Sequence, residues 1–304
     1  MNEQARIQQV VNEAKNNKPK HHMGMKAKNR ISNIIIYALL IIISIIWLLP
    51  FICLVFESFR IENKGPVGYV IPHVWGFDNY INLFTTTKFP KWFMNTFLTG
   101  LAVAVFQTIF VLSMSYTLSR LRFKGRKALM NFMLILGMFP GFLTLILLYK
   151  LFADIGLANN NAMFGLIIVY CASSGMGYYV SKGFFDTIPR SLDEAARVDG
   201  ATRLQIFTRI TMPLAKPIVI YTILTAFMAP WGDFMLAKFM AHNSSDGYNV
   251  AVGLQNMIGV QGNLNSQYTM FCAAGIVVAI PITVLFLLLQ KYYVEGVTGG
   301  AVKG

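Results

Sequence analysis

The sequence predicts an all-α polytopic membrane protein with six transmembrane helices, and three observations carry that prediction. The first is composition: 55% of the 304 residues are hydrophobic and 13% charged, against about 25% charged in ordinary soluble proteins. The second is the set of six windows with little or no charge, at 34–56, 92–118, 128–149, 162–181, 217–237 and 270–290. Each is roughly 20 residues or longer, the length a helix needs to cross ~30 Å of hydrocarbon. The third is the basic residues, which collect on one side of the six-span arrangement. Seven of the 26 lie in the first 33 residues, five in 119–127, six in 182–216 and two after Gln290. The positive-inside rule then places both termini in the cytoplasm. Backbone amides cannot stay unpaired in lipid, so the windows must be helices or a closed barrel. The ten-residue alternation of a barrel is absent.

Along the chain, residues 1–33 read as a basic tail, with "KPKHH" unsuited to packing. The first window is too long for a signal-peptide core and has no small-residue cleavage site before Glu57, so it reads as a permanent span. Residues 57–91 form an external segment with Gly65-Pro66, Ile71-Pro72 and the interfacial aromatics Trp75, Phe77 and Tyr80. "RLRFKGRK" is a compact cytoplasmic turn between the second and third windows, and "LFADIGLANNN" joins the third to the fourth outside. Pro140-Gly141 interrupts the third window, and Ser173-Ser174-Gly175 with Gly177 loosens the fourth. Such residues either permit close helix packing or open backbone toward a cavity. Asp233, the one ionisable residue within a window, falls near the outer edge of the fifth, as a hydrated or partner-facing carboxylate or as a substrate contact.

The net charge of +13 is accounted for by topology and attraction to anionic lipid, not by nucleic acid. Cys53, Cys171 and Cys272 sit apart in apolar windows and read as small buried hydrophobes, with no metal-ligand spacing around them. No G-x-x-x-x-G-K-[ST] loop occurs, so ATP hydrolysis by this chain is not expected. Neither H-E-x-x-H nor a nucleophile elbow is present. An ion-coupled secondary sugar carrier is the alternative, opposed by the scarcity of midmembrane charge and the lack of a visible two-half repeat.

The polar block at 191–217, "SLDEAARVDGATRLQIFTRITMPLAKP", breaks the apolar pattern. Ser191-x-x-Glu194 and Thr202-x-x-Gln205 both read as capping boxes. Asp199-Gly200 between them is a turn, glycine supplying positive φ, and Pro213 bars easy continuation of the second helix. The block predicts helix, tight turn, helix, with Leu204, Phe207 and Ile210 on one face to anchor the pair against the spans.

"EAARVDGATRLQIFTRITMPLAKP" resembles the EAA loop of binding-protein-dependent ABC importer permeases, through Glu194, Ala195, Ala196, Gly200, Ile210 and Pro213. The ending "YNVAVGLQNM…NSQYTMFCAAGIVVAIPITVLFLLLQKYYVEGVTGGAVKG" is similar to the smaller permease of the maltose-type carbohydrate importers. The resemblance implies a type I ABC importer permease fold, with a core at 92–291 and coupling helices at about 191–212. Before the core come the tail at 1–33 and the first span with its external segment at 34–91. A cytoplasmic tail follows at 292–304. Glu194, Ala195, Ala196, Asp199, Gly200, Ile210 and Pro213 would dock into a separate ATPase subunit, present as a dimer. Glu295, Gly299, Gly300 and Lys303 in the tail would reach between the paired ATPases. Gln255, Asn256, Asn263 and Asn265 would meet an extracytoplasmic sugar-binding protein. A second, larger permease completes the assembly. ATP and Mg would be held by the ATPase, with no cofactor or metal bound by this chain. Malto-oligosaccharide is the first expectation for the sugar, which the larger permease would mainly hold. Ser173, Ser174, Tyr178, Tyr221, Thr225, Trp231 and Asp233 are the candidate pathway residues here.

Overall fold

The computed structural model describes residues 25–138, 141–173, 175–242, 244–259 and 263–301. Regular structure among them is helical, apart from an isolated antiparallel bridge between Arg60 and Trp75. The chain divides into two units, residues 1–53 and 54–304. The first contains most of α1 (Met25–Phe59). Its described side chains from 32 to 52 are exposed all round, as suits a helix solvated by lipid.

The second unit begins with the end of α1 and an ordered segment centred on Arg60, whose side chain is wholly buried. The guanidinium forks onto Glu57 through Nε and Nη2, both at 2.9 Å, and reaches Glu62 at 2.9 Å. Its face lies 4.4 Å from the Tyr69 ring. A buried charge is tolerable when its donors are filled in this way. Partial burial pushes the Glu62 carboxyl up, but backbone hydrogen bonds, including those from His73 and Val74, together with Arg60 bring it down to about 2. That anion stabilises the segment fully above its ordinary pKa of 4.5, and the contribution is lost as pH falls through about 2. Asn79, in α2 (Asp78–Thr86), ties the segment together by donating to the Ser58 and Arg60 carbonyls.

The remaining elements are α3 (Phe89–Arg120), α4 (Arg126–Gly137), α5 (Gly141–Asp154), α6 (Ala162–Ala172) and α7 (Gly175–Thr187). They are followed by α8 (Arg190–Val198), α9 (Arg203–Leu214), α10 (Lys216–Gly232), α11 (Met235–Ala241), α12 (Val250–Gly259) and α13 (Leu264–Ala301). Three continuous stretches are long and apolar enough to span: Ser32–Phe59, Phe89–Arg120 and Leu264–Tyr292. Two bent pairs, Thr144–Asp154 with Asn159–Ala172 and Arg203–Leu214 with Lys216–Gly232, raise the number to five. That range agrees with the expected all-α polytopic membrane protein, and the interruptions expected in the third and fourth windows are found among the described residues. The third window is divided after Met138 and the fourth at Ser173, where Pro140-Gly141 and the Ser-Ser-Gly run lie. The fifth ends at Gly232, before Asp233. Apolarity specifies burial in lipid or protein, but not an unbroken helix.

α3 is the hub, packing along α10, α7 and α6. Buried Trp92, Val103, Leu166, Ala226, Phe227 and Trp231 belong to the main core. Close approach depends on small residues: a Cβ on Gly100 would stand 3.0 Å from the Phe227 carbonyl oxygen. Gly253 is tighter still, because a Cβ there would collide with the Trp92 indole. That ring cannot retreat freely, since its Nε1 donates to the Ser245 carbonyl (3.0 Å). Gly253→Ala is therefore expected to destabilise the folded chain by about 1–3 kcal/mol, the usual range for overpacking. A lowered midpoint of thermal unfolding in detergent is the check, and an unchanged midpoint would refute the packing argument.

Polar contacts fasten the same end of α3 to the loop before α12. Asn95 donates to the Asp246 and Tyr248 carbonyls, both at 2.9 Å, and the Val250 amide donates to Thr96 Oγ1 (2.7 Å). Lys88 and Lys91 meet Asp246 at 3.1 and 3.2 Å, and their hydrogen bonds hold its carboxyl below the ordinary value.

Candidate functional site

The polar block folds as two helices joined by a tight turn. α8 starts after Pro189, whose φ of −58° is preset for helix entry. The expected Ser191 capping box is not formed. Pro189 takes the cap position, which puts Ser191 inside the first turn without a capping bond. The other end follows the sequence reading. Gly200 has φ +82° and donates to the Arg197 carbonyl (3.0 Å), while the Ala201 amide reaches Ala196 (2.9 Å). These are the paired bonds of a Schellman ending.

α9 opens with the expected box. The Gln205 amide donates to Thr202 Oγ1 (3.3 Å), and the Thr202 amide to Gln205 Oε1 (2.8 Å). Beyond it, Ile206–Thr211 is π-helical, so a face no longer repeats every three or four residues. That change of period corrects the expected anchor face. Leu204 is 70% exposed, whereas Ile206 and Thr211, five apart, are buried. Phe207 and Ile210 are half-buried, and the Phe207 ring lies 4.7 Å from Tyr116 of α3. Pro213 is exposed just past the π stretch. The helix ends at Leu214, and the chain turns 84° into α10.

α8 presents Glu194 and Ala195 outward and buries Ala196 and Asp193. Asp193 faces the last residue of α3: Arg120 Nε lies 3.2 Å from Asp193 Oδ2, with side-chain exposures of 3% and 9%. The pair is at ion-pair distance but off the hydrogen-bond line, and Asp193 Oδ1 is buried without a hydrogen bond among the described residues. Arg120 Nη2 also donates to the Ile188 carbonyl (2.8 Å), and Arg190 Nη2 to the Ser119 carbonyl (3.2 Å). Ser119 Oγ donates to Asp186 Oδ1 (2.6 Å). The helix pair is thereby bolted to α3. Sequence reasoning missed Arg120, Asp193, Ser119 and Asp186. The available signal was an Arg closing an apolar window and an Asp placed directly before Glu194.

The bolt forms one wall of a cleft of about 430 Å³ between the α3 terminus and the helix pair, with Glu194 in its lining. Asp199 ends α8, its amide donating to Ala195 (3.0 Å). Glu194 makes no ion pair among the described residues, so its charge faces outward.

The other sequence-selected residues do not gather into one site. Tyr221 and Thr225 lie one turn apart on the exposed face of α10, Thr225 Oγ1 donating to the Tyr221 carbonyl (2.9 Å). Tyr178 borders an apolar groove of about 700 Å³ with Phe106, Phe132 and Cys171. Ser173 is exposed at the end of α6; Ser174 lies outside the described residues. Trp231 is buried beside Phe93 and Phe227. Both Asp233 oxygens hold bonds within the chain: Oδ2 accepts from the Tyr170 hydroxyl (2.8 Å) and Oδ1 from the Leu236 amide (3.1 Å). At the head of α13, Asn263 donates to the Asn256 carbonyl (3.5 Å), and Asn265 abuts Gly65 of the segment after α1. Gln255 is exposed on α12. Glu295, Gly299 and Gly300 continue α13, which runs unbroken to Ala301; Lys303 lies outside the described residues. Cys53, Cys171 and Cys272 form no disulfide among the described residues, and the last two are buried.

This architecture recurs in a chain of the crystal structure of a bacterial ABC transporter involved in importing the acidic polysaccharide alginate. The match has a TM-score of 0.71 at 25% identity and covers 88% of this chain and 98% of that one. The fold is that of a membrane subunit of an ABC transporter. Residues 110–299 match the family of binding-protein-dependent transport system inner membrane components, and the chain belongs to that family. It is 37% identical to the maltodextrin transport system permease protein MdxG of Bacillus subtilis, over 93% of this chain and all of that one. Against the Streptococcus pneumoniae maltodextrin permease MalD, identity is 34%, over 92% of this chain and 99% of the other. The B. subtilis galactooligosaccharides permease GanQ is also 34% identical, over 92% and 99%.

Proposed function

We propose that this chain is a permease subunit of an ATP-driven, binding-protein-dependent importer of malto-oligosaccharides, working by alternating access. The observation that carries the reading is the outward-facing Glu194–Ala195 surface of α8 on a helix pair fixed to α3. A protein that closes on that surface moves a spanning helix, and a substrate crosses because two states bind it differently. A separate ATPase dimer holding ATP and Mg docks there, with the tail at 292–304 reaching between its subunits. Both termini are cytoplasmic. A larger permease pairs with the spanning helices, and a sugar-binding protein meets the 255–267 region outside. Tyr221 and Thr225 are the pathway groups best placed to touch sugar, because they are exposed on one helix face.

Liposome reconstitution tests this. With the partner permease, ATPase and binding protein, ATP inside should drive maltotriose accumulation. The chain alone should neither hydrolyse ATP nor couple a proton or sodium gradient to sugar. Gradient-driven accumulation by the chain alone would make it a secondary carrier. In intact cells, labelling from outside of a cysteine introduced at Ser191 would overturn the orientation.

A further inference from the structure

The cleft beside α8 has a charge imbalance that the ATPase-docking surface alone does not explain. Arg122, Arg190, Arg197 and Arg203 converge on it together with the already paired Arg120. None of those four makes an ion pair among the described residues, and all four are exposed. Arg190 gives one bond to the Ser119 carbonyl; for the other three no hydrogen bond to this chain is formed among the described residues. Guanidinium groups held around about 430 Å³ repel one another, and an anion entering between them removes that cost while filling forked donors. The lining decides the kind of anion. Leu121 is its one apolar member, so an acyl chain finds no bed there. A lipid headgroup is better served by the neighbouring groove, where Arg126 and Lys127, with Arg122 shared between the two sites, adjoin Phe123, Ala128 and Met130. Glu194, also in the lining and without an ion pair among the described residues, asks for a cation from the same partner.

We propose that this cleft is a socket for an acidic segment of the ATPase subunit, whose carboxylates seat between Arg122, Arg197 and Arg203 while Glu194 takes a basic residue of that subunit. The proposal rests on the reading of α8 as the ATPase-docking helix, and it adds a second contact of opposite sign beside the first. The partner surface it requires is acidic around one basic residue. Two contacts of opposite sign fix the rotational setting of the docked subunit, because a misplaced partner brings like charges together.

The test uses the assembled transporter in membranes, washed with increasing sodium chloride, with retained ATPase measured by immunoblot. Wild-type retention should fall as salt screens the contact. Arg122→Gln/Arg197→Gln/Arg203→Gln should cut retention at least ~10-fold at low salt and flatten its salt dependence. The matched lysine triple keeps the charge that sets membrane orientation, and should fall between with a wild-type slope. A cysteine at Ser191 protected from external reagent shows that the variants insert correctly. Unchanged retention in the glutamine triple, with loss in Glu194→Gln, would sink the socket and leave the docking helix standing. Unchanged retention in both would sink the docking helix as well. If wild-type retention drops to the triple's level in nanodiscs made only of zwitterionic lipid, the cleft holds a lipid headgroup and the proposal is overturned.

Discussion

Removing the Arg120 side chain while leaving Asp193 in place is expected to destabilise the chain by about 3–5 kcal/mol, the loss typical when one member of a buried ion pair is stranded. Arg120→Met gives up the Asp193 contact at 3.2 Å and the bond to Ile188 at once. It leaves a carboxylate that is 9% exposed and has one oxygen without a hydrogen bond among the described residues. Asp193→Leu strands the guanidinium instead, but less severely, because Arg120 keeps Ile188. The double variant Arg120→Met/Asp193→Leu should lie far closer to wild type than the sum of the singles, since two apolar side chains of suitable volume need no partners there. Thermal unfolding in detergent across the four proteins measures the coupling. Additive single and double effects would mean that the pair is not an energetic unit.

The second large effect is expected at Gly200. Its φ of +82° closes α8 and aims the chain into α9, and a β-branched residue resists that conformation. Gly200→Val should misalign the helix pair and abolish ATPase association together with transport, while the spanning helices remain inserted. Gly200→Asn, which tolerates the left-handed region better, should restore part of both. Glu194→Gln is the milder companion. Gln keeps the shape of an exposed side chain that makes no ion pair among the described residues, so stability should be unchanged. Loss of a partner's cation should weaken ATPase association by about 2–5 kcal/mol if that pair is buried on docking. Pull-down and transport assays on the three variants decide it. Full assembly in Gly200→Val and Glu194→Gln would remove the helix pair from the coupling role.

The sequence made the helix pair legible because its signals are local. Thr202 and Gln205 close a box three residues apart, and Gly200 carries its turn within a single residue. Ser191 misled because a cap is decided by where the chain enters the helix, and Pro189 set that entry two residues earlier. Leu204 misled because the anchor face was drawn with a period near 3.6, which the π stretch at Ile206–Thr211 does not keep. Window hydropathy located the apolar stretches, and the Pro140-Gly141 and Ser173-Ser174-Gly175 runs pointed to the interruptions of the third and fourth. Arg120, Asp193, Ser119 and Asp186 lay beyond local reading. Their meaning arises from a meeting of residues that are 67 or more positions apart.

α3 is held at both extremities: Lys88, Asn95 and Thr96 grip the loop before α12, and Ser119 and Arg120 grip the α7–α8 region. At ~1.5 Å per residue its 32 residues make a rod of about 48 Å. Such a member works as a pushrod does between two bearings. A tilt imposed at one face must appear at the other, or else one of the two polar fastenings must give way.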